Sequence, residues 1–224
     1  MTDVASLYAE LQNRFSSKVA RFVLAFDEIT LELSAQHLRE VCLALRDEPA
    51  FDFKMLIDVC GVDYLDYGLS QWETETATAT GFERGTVPMQ AEPNNPKYTG
   101  PRFASVYHLL SLTQNHRVRL KVFLEEHRLQ VPSVVDIWPA ANWFEREAFD
   151  LFGIIYDNHP DLRRLLTDYG FVGHPFRKDF PLIGNVEARY DAKEKRVIYE
   201  PVSIQPRILE PKVIRTDNRY KVGE

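Results

Sequence analysis

The sequence predicts an α+β fold in which helices pack on a small mixed or antiparallel sheet and an extended C-terminal arm ends the chain. Segments with the apolar spacing of helices stand among short runs with the alternation of strands. Near the end, prolines recur every five residues and stop helix formation. We expect an α+β core over residues 1–156, a Pro- and Gly-rich segment over 157–200 that packs on it, and a partner-binding tail over 201–224.

Two amphipathic helices are predicted within the first fifty residues. The first is expected to be capped by Thr2 or Asp3, and its core face consists of Val4, Leu7, Tyr8, Leu11 and Phe15. The second follows the expected N-cap Ser34 and ends at Pro49. Its core face consists of Leu38, Val41, Cys42 and Leu45.

Several strands are predicted from the remaining apolar runs. "ARFVLAF" and "ITLEL" read as a pair, "FKMLIDVCGVDY" as a buried strand, "SVVDIW" as a short strand and "RYDAKEKRVIYEPV" as a hairpin. From Phe103 two strands flank the turn "TQNHR", and the second alternates apolar residues with Arg117, Arg119 and Lys121. One face of this sheet is therefore expected to be polar. "DLRRLL" is expected to form one helical turn.

Residues 66–100 differ from the rest in composition. Threonines, acids, prolines and glycines dominate there, and few residues are able to form a core. We interpret this stretch as a long surface insertion, of the kind that a partner often orders.

Composition excludes several classes of protein. The 27 basic and 33 acidic residues give a net charge of −6, which argues against a nucleic-acid-binding surface. No apolar run approaches the roughly 20 residues that cross a bilayer, and the start lacks a signal peptide, so we expect a cytoplasmic chain. Cys42 and Cys60 are isolated and are expected to be reduced and buried. Walker A, GxGxxG, GxSxG and HExxH motifs are absent.

The stretch "ANWFEREAFDLFG", residues 141–153, is the most distinctive of the chain. Asn142 stands three residues before Glu145, which is the spacing of a capping box. Gly153 suits a left-handed helix C-cap. Between them runs an apolar stripe of Phe144, Ala148, Leu151 and Phe152.

The acidic residues of this stretch have two interpretations. Arg146 and Asp150 have the spacing of an i, i+4 ion pair, with Glu147 beside them. A catalytic carboxylate pair needs two acids that face one cleft, whereas here an arginine lies between them. We therefore favour a structural network that Arg163 and Arg164 extend, with catalysis as the alternative.

A metal site is a second alternative. His159, Asp161, Asp168 and His174 supply two histidines and carboxylates, a set that suits several divalent ions. Both histidines precede proline and so lie in extended loops. This set defines the rival hypothesis of a stand-alone, metal-dependent hydrolase.

The stretch "EREAFDLFGIIYDNHPDLRRLL" resembles the signature of the 30-kDa subunit (the C subunit) of respiratory complex I, the proton-translocating NADH:quinone oxidoreductase. The resemblance is dense over residues 133–202. Every fixed place of the signature is filled, by Glu145, Arg146, Glu147, Asp150, Leu151, Phe152, His159, Arg163, Leu165 and Leu166.

The resemblance implies a non-catalytic assembly subunit of the peripheral arm, on the cytoplasmic side of the inner membrane. FMN, iron–sulfur clusters and quinone would then lie on partner subunits, and this chain would have no catalytic, cofactor-binding or metal-binding residues. The implied partners are the quinone-site subunit and the cluster-bearing neighbours. An equivalent subunit of a membrane-bound hydrogenase or a ferredoxin:quinone complex remains the alternative.

Overall fold

A computed structural model describes residues 4–65, 67 and 98–204 of the chain. The chain divides into two compact units, Met1–Tyr64 with Gly100–Phe180 and Leu65–Thr99 with Pro181–Glu224. The helices and strands of the described residues are α1 (Val4–Phe15), β1 (Val19–Ala25), β2 (Glu28–Leu33), α2 (Ala35–Asp47), β3 (Met55–Asp63), β4 (Phe103–Ser111), β5 (His116–Leu124), β6 (Gln130–Pro132), α3 (Ala141–Phe152), β7 (Ile155–Asp157), β8 (Val186–Asp191) and β9 (Arg196–Pro201).

A five-stranded mixed sheet organises the first unit. Its strand order is β1-β2-β5-β4-β3, and β2 pairs with β5 in parallel while the other neighbours are antiparallel. With the three helices, this confirms the predicted α+β class and mixed sheet. β3 was predicted to be buried, but it lies at an edge of the sheet and Met55 is 44% exposed.

The first two helices confirm the predicted core faces. In α1, Leu7, Leu11 and Phe15 are buried. The buried residues of α2 are the four predicted ones, Leu38, Val41, Cys42 and Leu45. Ser34 precedes α2 as predicted, although its side chain makes no capping hydrogen bond. The predicted caps Thr2 and Asp3 lie outside the described residues.

The predicted hairpins are confirmed. β1 and β2 pair across a turn in which Phe26 and Asp27 have positive φ. β4 and β5 pair across a turn with Asn115 at φ 55. Along β5, Val118, Leu120, Val122 and Leu124 are buried, which confirms the predicted alternation.

Two local predictions are wrong. "SVVDIW" forms a turn, because the amides of Ile137 and Trp138 both donate to the carbonyl of Val134 at 3.0 and 2.9 Å. "DLRRLL" forms no helical turn. There the amides of Leu165 and Leu166 donate to a side chain of α3 and not to backbone carbonyls. The short parallel pair β6–β7 was not foreseen from the sequence.

The described part of the second unit contains the predicted hairpin, β8 and β9. Directly opposed residues share a face in an antiparallel pair. One face is therefore polar apart from Ile198, and the other is wholly apolar, consisting of Val186, Ala188, Tyr190, Val197, Tyr199 and Pro201. Of the predicted insertion over residues 66–100, residues 66 and 68–97 lie outside the described residues, and so does most of the predicted tail, residues 205–224.

Candidate functional site

Helix α3 carries the candidate site, and its two ends show how it is held. Gly153 ends the helix in the left-handed region, at φ 77, and its amide donates to the carbonyl of Phe149 at 2.9 Å, as the sequence predicts. On the sheet side, a Cβ at Gly61 would lie 2.4 Å from Cδ2 of Phe152. Only glycine on β3 therefore allows α3 to approach this closely.

Glu145 is fully buried and does not serve as a capping residue. The predicted capping box is wrong: α3 begins at Ala141, and its N-cap makes no side-chain hydrogen bond. The Glu145 carboxyl instead accepts hydrogen bonds from Ser133 Oγ at 2.7 Å and from the amide of Val134 at 2.8 Å. Burial raises the pKa of Glu145 to about 7, against the opposing effect of these two donors.

Asp150 is also fully buried, but it has many more donors. Its carboxylate accepts from the amides of Leu165, Leu166 and Thr167 at 3.0, 2.7 and 2.9 Å. Thr167 Oγ1 donates at 2.6 Å, and the guanidinium of Arg164 donates at 2.9 Å. Burial alone would raise the pKa of Asp150, yet the donors outweigh it and hold this pKa well below its ordinary value. One carboxylate thus binds the backbone of residues 165–167 and the side chain of Arg164.

Arg146 holds the same segment through its carbonyl groups. Its guanidinium donates to the carbonyls of Arg163 and Arg164 at 3.2 and 3.3 Å, and lies over the ring of Trp143. The predicted ion pair between Arg146 and Asp150 is wrong. The spacing along the helix permits it, but groups of residues 163–167 occupy both side chains.

A second anchor links the segment to the sheet, and sequence reasoning missed it. The carboxylate of Asp63, at the end of β3, accepts two hydrogen bonds from Arg102, each at 2.9 Å. It also accepts from the amide of Lys178 at 2.8 Å, and Arg102 pairs with Asp179 at 2.9 Å. No local motif marks Asp63, because its partners lie 39 and 115 residues away.

Some of the other signature residues pack in the core, and others are exposed to solvent. Leu151 is buried, Phe152 packs against the core, and Leu166 is exposed. Arg163 is exposed and pairs with Asp161 at 2.8 Å. Glu147 is half-buried on α3 and has no hydrogen bond or ion pair with any residue that the structure describes.

The four proposed metal ligands do not form a metal site. Nδ1 of His159 accepts from the amide of Asp161 at 3.0 Å, which leaves Nε2 to donate to the carbonyl of Asn142 at 3.2 Å. His174 donates to the carbonyl of Asp150 at 2.9 Å. Burial lowers the pKa of both histidines. Within residues 4–65, 67 and 98–204, no group of three or more His, Cys, Asp or Glu residues is placed to hold a metal ion.

Comparison with known proteins decides the family. The family model described as "Respiratory-chain NADH dehydrogenase, 30 Kd subunit" matches residues 31–186, more than half of the chain. The chain belongs to this 30-kDa subunit family. None of the helices among the described residues is long and apolar enough to span a membrane.

Individual proteins named as C subunits match this chain along nearly its whole length. The C subunit of the NADH-quinone oxidoreductase of Coxiella burnetii (strain Dugway 5J108-111) is 59% identical over 100% of this chain and 98% of its own length. That of Legionella pneumophila (strain Corby) is 57% identical over 98% of this chain and 96% of its own length. That of Halorhodospira halophila is 52% identical over 98% of this chain and 94% of its own length.

Two solved structures share the fold of this chain. The trypsin-resistant fragment of Nqo5 matches at 25% identity with a TM-score of 0.50, over 72% of this chain and 100% of the fragment. A chain of the membrane-bound sulfane sulfur reductase, an archaeal respiratory membrane complex, matches at 17% identity with a TM-score of 0.55. That match covers 80% of this chain and 86% of the other chain, and at this identity it shows the fold alone.

Proposed function

We propose that the chain is a non-catalytic structural subunit of a proton-translocating NADH:quinone oxidoreductase. In this role it supports the transfer of electrons from NADH, through FMN and iron–sulfur centres on other subunits, to quinone. The observation that carries the proposal is the 59% identity, over the full chain, to a protein named as the C subunit of an NADH-quinone oxidoreductase. The isolated chain has no activity of its own in this proposal.

The geometry of α3 supports a structural role. Glu145 and Asp150 are fully buried, and protein donors surround both carboxyl groups. A catalytic acid must instead reach substrate, directly or through water. Arg146 and Asp150 hold residues 163–167, and Asp63 holds the amide of Lys178. These contacts order a stretch that has little regular secondary structure of its own.

The β8–β9 hairpin supports a role in assembly. An isolated two-stranded hairpin is marginally stable in water, and an apolar face needs a cover. On its apolar face Tyr190 and Tyr199 are 62% and 63% exposed. We propose that a neighbouring protein of the complex packs over this face, and that the tail over 201–224 becomes ordered on the same neighbour.

The parent complex gives the proposed location and partners. The chain would lie in the peripheral arm, on the cytoplasmic side of the inner membrane, and would reach the membrane only through the complex. Its neighbours would be the quinone-site subunit and the cluster-bearing subunits. The equivalent place in a related membrane complex is the second candidate, and the fold shared with the sulfane sulfur reductase chain is compatible with it. The names of the full-length relatives favour the first.

Purification from native membranes tests the proposal. An affinity-tagged chain, extracted in mild detergent, is expected to carry companion subunits, FMN and NADH:quinone reductase activity with it. Deleting the chain is expected to remove that activity from membranes. Recovery mainly as a lone soluble monomer would contradict the proposal. Hydrogenase or other non-NADH activity in the recovered complex would favour the second candidate.

Two variants and one truncation test the proposed contacts. Tyr190→Ser with Tyr199→Ser is expected to reduce recovery of the complex, because it removes apolar area from the contact face. Arg189→Ser with Glu200→Ser, on the polar face, is the matched control and leaves the net charge unchanged.

Truncation after Pro201 is expected to leave the core folded while incorporation into the complex falls. Unchanged incorporation in both tests would remove the hairpin and the tail from the assembly surface.

A further inference from the structure

A cavity of about 210 Å³ lies between the edge strand β3 and helix α3, within the first unit. Residues 58–61 of β3 form one wall, and Glu147, Leu151 and Phe152 of α3 form another. Phe176 also lines the cavity, and because its side chain is 57% exposed the cavity communicates with the surface. A single ordered water needs only roughly 10–15 Å³. The space therefore admits a side chain.

The strand beside this cavity, β3, lies at an edge of the sheet that the described residues form. β3 is the last strand of the sheet and pairs only with β4 among the strands that the structure describes. An unpaired edge presents backbone donors and acceptors to an incoming extended chain. The cavity thus adjoins backbone groups that a neighbouring polypeptide is able to use.

The carboxylates of Asp58 and Glu147 line the cavity. Asp58 and Glu147 are half-buried, and neither makes a hydrogen bond or ion pair with the described residues. Nearby on α3, by contrast, Glu145 and Asp150 each have protein donors. The cavity lining contains no lysine, arginine or histidine. The lining therefore has a negative charge, although the charge of Asp58 also acts on His108 of β4.

The thiol of Cys60 lies beside these acids in the cavity lining. Burial is the main cause that raises the pKa of Cys60 to about 11; the negative charges of Asp58 and Glu147 add to this effect, and the positive charge of Arg119 opposes it. The thiol is therefore neutral at physiological pH. No group of three or more His, Cys, Asp or Glu residues among the described residues is placed to hold a metal ion, so we do not propose a metal ion as the occupant.

The remaining lining is apolar and rigidly placed. The ring of Phe152 packs on Gly61 and meets the ring of Phe176 edge to face, with 5.9 Å between centroids. Apolar walls next to carboxylates suit a long cationic side chain, whose carbon stem packs while its charged end pairs. Lysine and arginine are the two residues with this character.

We propose that this cavity receives a lysine or arginine side chain from a neighbouring subunit, with its carbon stem against Leu151 and Phe152 and its charge between Asp58 and Glu147. The inference rests on the proposed function, because the donor is another chain of the parent complex. Glu147, the acid of the signature that has no partner within the described chain, then acts at the interface.

Neutral variants of the two acids test the proposal in the native complex. The double variant Asp58→Asn with Glu147→Gln keeps the size of both side chains. When the chain is present at limiting concentration, we expect this variant to reduce the amount of complex recovered at least about tenfold. Glu10→Gln with Asp27→Asn is the control, since both acids are exposed and have no partner among the described residues. Thermal unfolding of all purified variants is expected to match the wild type. If wild-type chain is absent from the complex, the proposed function fails. If wild-type and cavity variant are recovered equally, only this inference fails.

Cys60 provides a second readout that does not depend on any variant. In mildly alkaline buffer N-ethylmaleimide is expected to label Cys60 slowly in the isolated full chain, because only a small fraction of its thiol is ionised, while the fully buried Cys42 stays unlabelled. In the purified complex the labelling rate of Cys60, followed by peptide mass spectrometry, is expected to fall at least about tenfold. An equal rate in both states overturns the inference. If Cys60 is protected in the isolated chain and reacts only after truncation beyond Ile204, the chain's own tail fills the cavity, and the assignment to a partner is wrong.

Discussion

Two fully buried carboxyl groups on one helix have pKa values shifted in opposite directions. Glu145 has two donors, Ser133 Oγ and the amide of Val134, and burial prevails. Asp150 has three amides, a hydroxyl and the guanidinium of Arg164, and the donors prevail. The number of donors that the fold brings to each carboxyl decides its charge.

Glu145→Gln is expected to change how stability depends on pH. A raised pKa in the folded state means that the stability from Glu145 is complete below the unfolded pKa, about 4.3, and is lost as pH rises through about 7. Glutamine does not titrate, still accepts from the amide of Val134, and can donate to Ser133 Oγ. Between pH 4 and pH 8, the free energy of unfolding of the variant should therefore rise by about 3 kcal/mol relative to that of the wild type. Urea unfolding across this range measures it, and parallel curves would contradict it.

Arg146→Ala is expected to cost more stability than Glu147→Gln. Arg146 is buried and its loss leaves the carbonyls of Arg163 and Arg164 without these donors, at a cost of about 2 kcal/mol. Glu147 has no hydrogen bond or ion pair with the described residues, so its replacement should change the free energy of unfolding by less than about 0.5 kcal/mol. Denaturant unfolding of both purified variants is the measurement. Equal losses would show that Arg146 does not hold the segment.

At the scale of elements, the end of α3 is the point where helix and segment are joined. Gly153 has φ 77, and a Cβ there would lie 2.5 Å from the guanidinium of Arg177 and 2.7 Å from Nε2 of His174. These two side chains bond to the carbonyls of Phe152 and Asp150. Helix termination and segment attachment therefore depend on the same glycine.

Gly153→Ala should destabilise the first unit by about 2 kcal/mol, from left-handed strain and from displacement of the two side chains. Thermal unfolding measures the effect. Gly170→Ala is the control, because a Cβ at Gly170 meets nothing within 4 Å and its φ lies outside the left-handed region. Equal melting temperatures for the two variants would contradict the prediction.

At the scale of the whole molecule, we expect the purified chain to contain no flavin and no stoichiometric iron or zinc. The chain has only two cysteines, too few for a four-thiolate cluster, and its described residues contain no suitable three-ligand group. An absorption spectrum and elemental analysis after gentle purification test this. A visible chromophore, or one metal per chain, would contradict it.

Local patterns in the sequence predicted the features that depend on near neighbours along the chain. Apolar spacing predicted the core faces of α1 and α2, alternation predicted the buried side of β5, and Gly153 predicted the end of α3. The signature stretch also indicated the family. In each case residues a few positions apart share one face or one turn, so the pattern itself contains the information.

The contacts of the charged residues of α3 depend on the folded chain and could not be predicted from local patterns. Local spacing predicted that Glu145 caps the helix and that Asp150 forms an ion pair with Arg146. In the fold, Glu145 instead accepts a hydrogen bond from Ser133, and Asp150 binds residues 164–167. The fold also placed Asp58, on the edge strand β3, and Glu147, on α3, in the lining of one cavity. The physical reason is that a buried carboxylate bonds to whichever donors share its site, and here those donors come from distant parts of the chain.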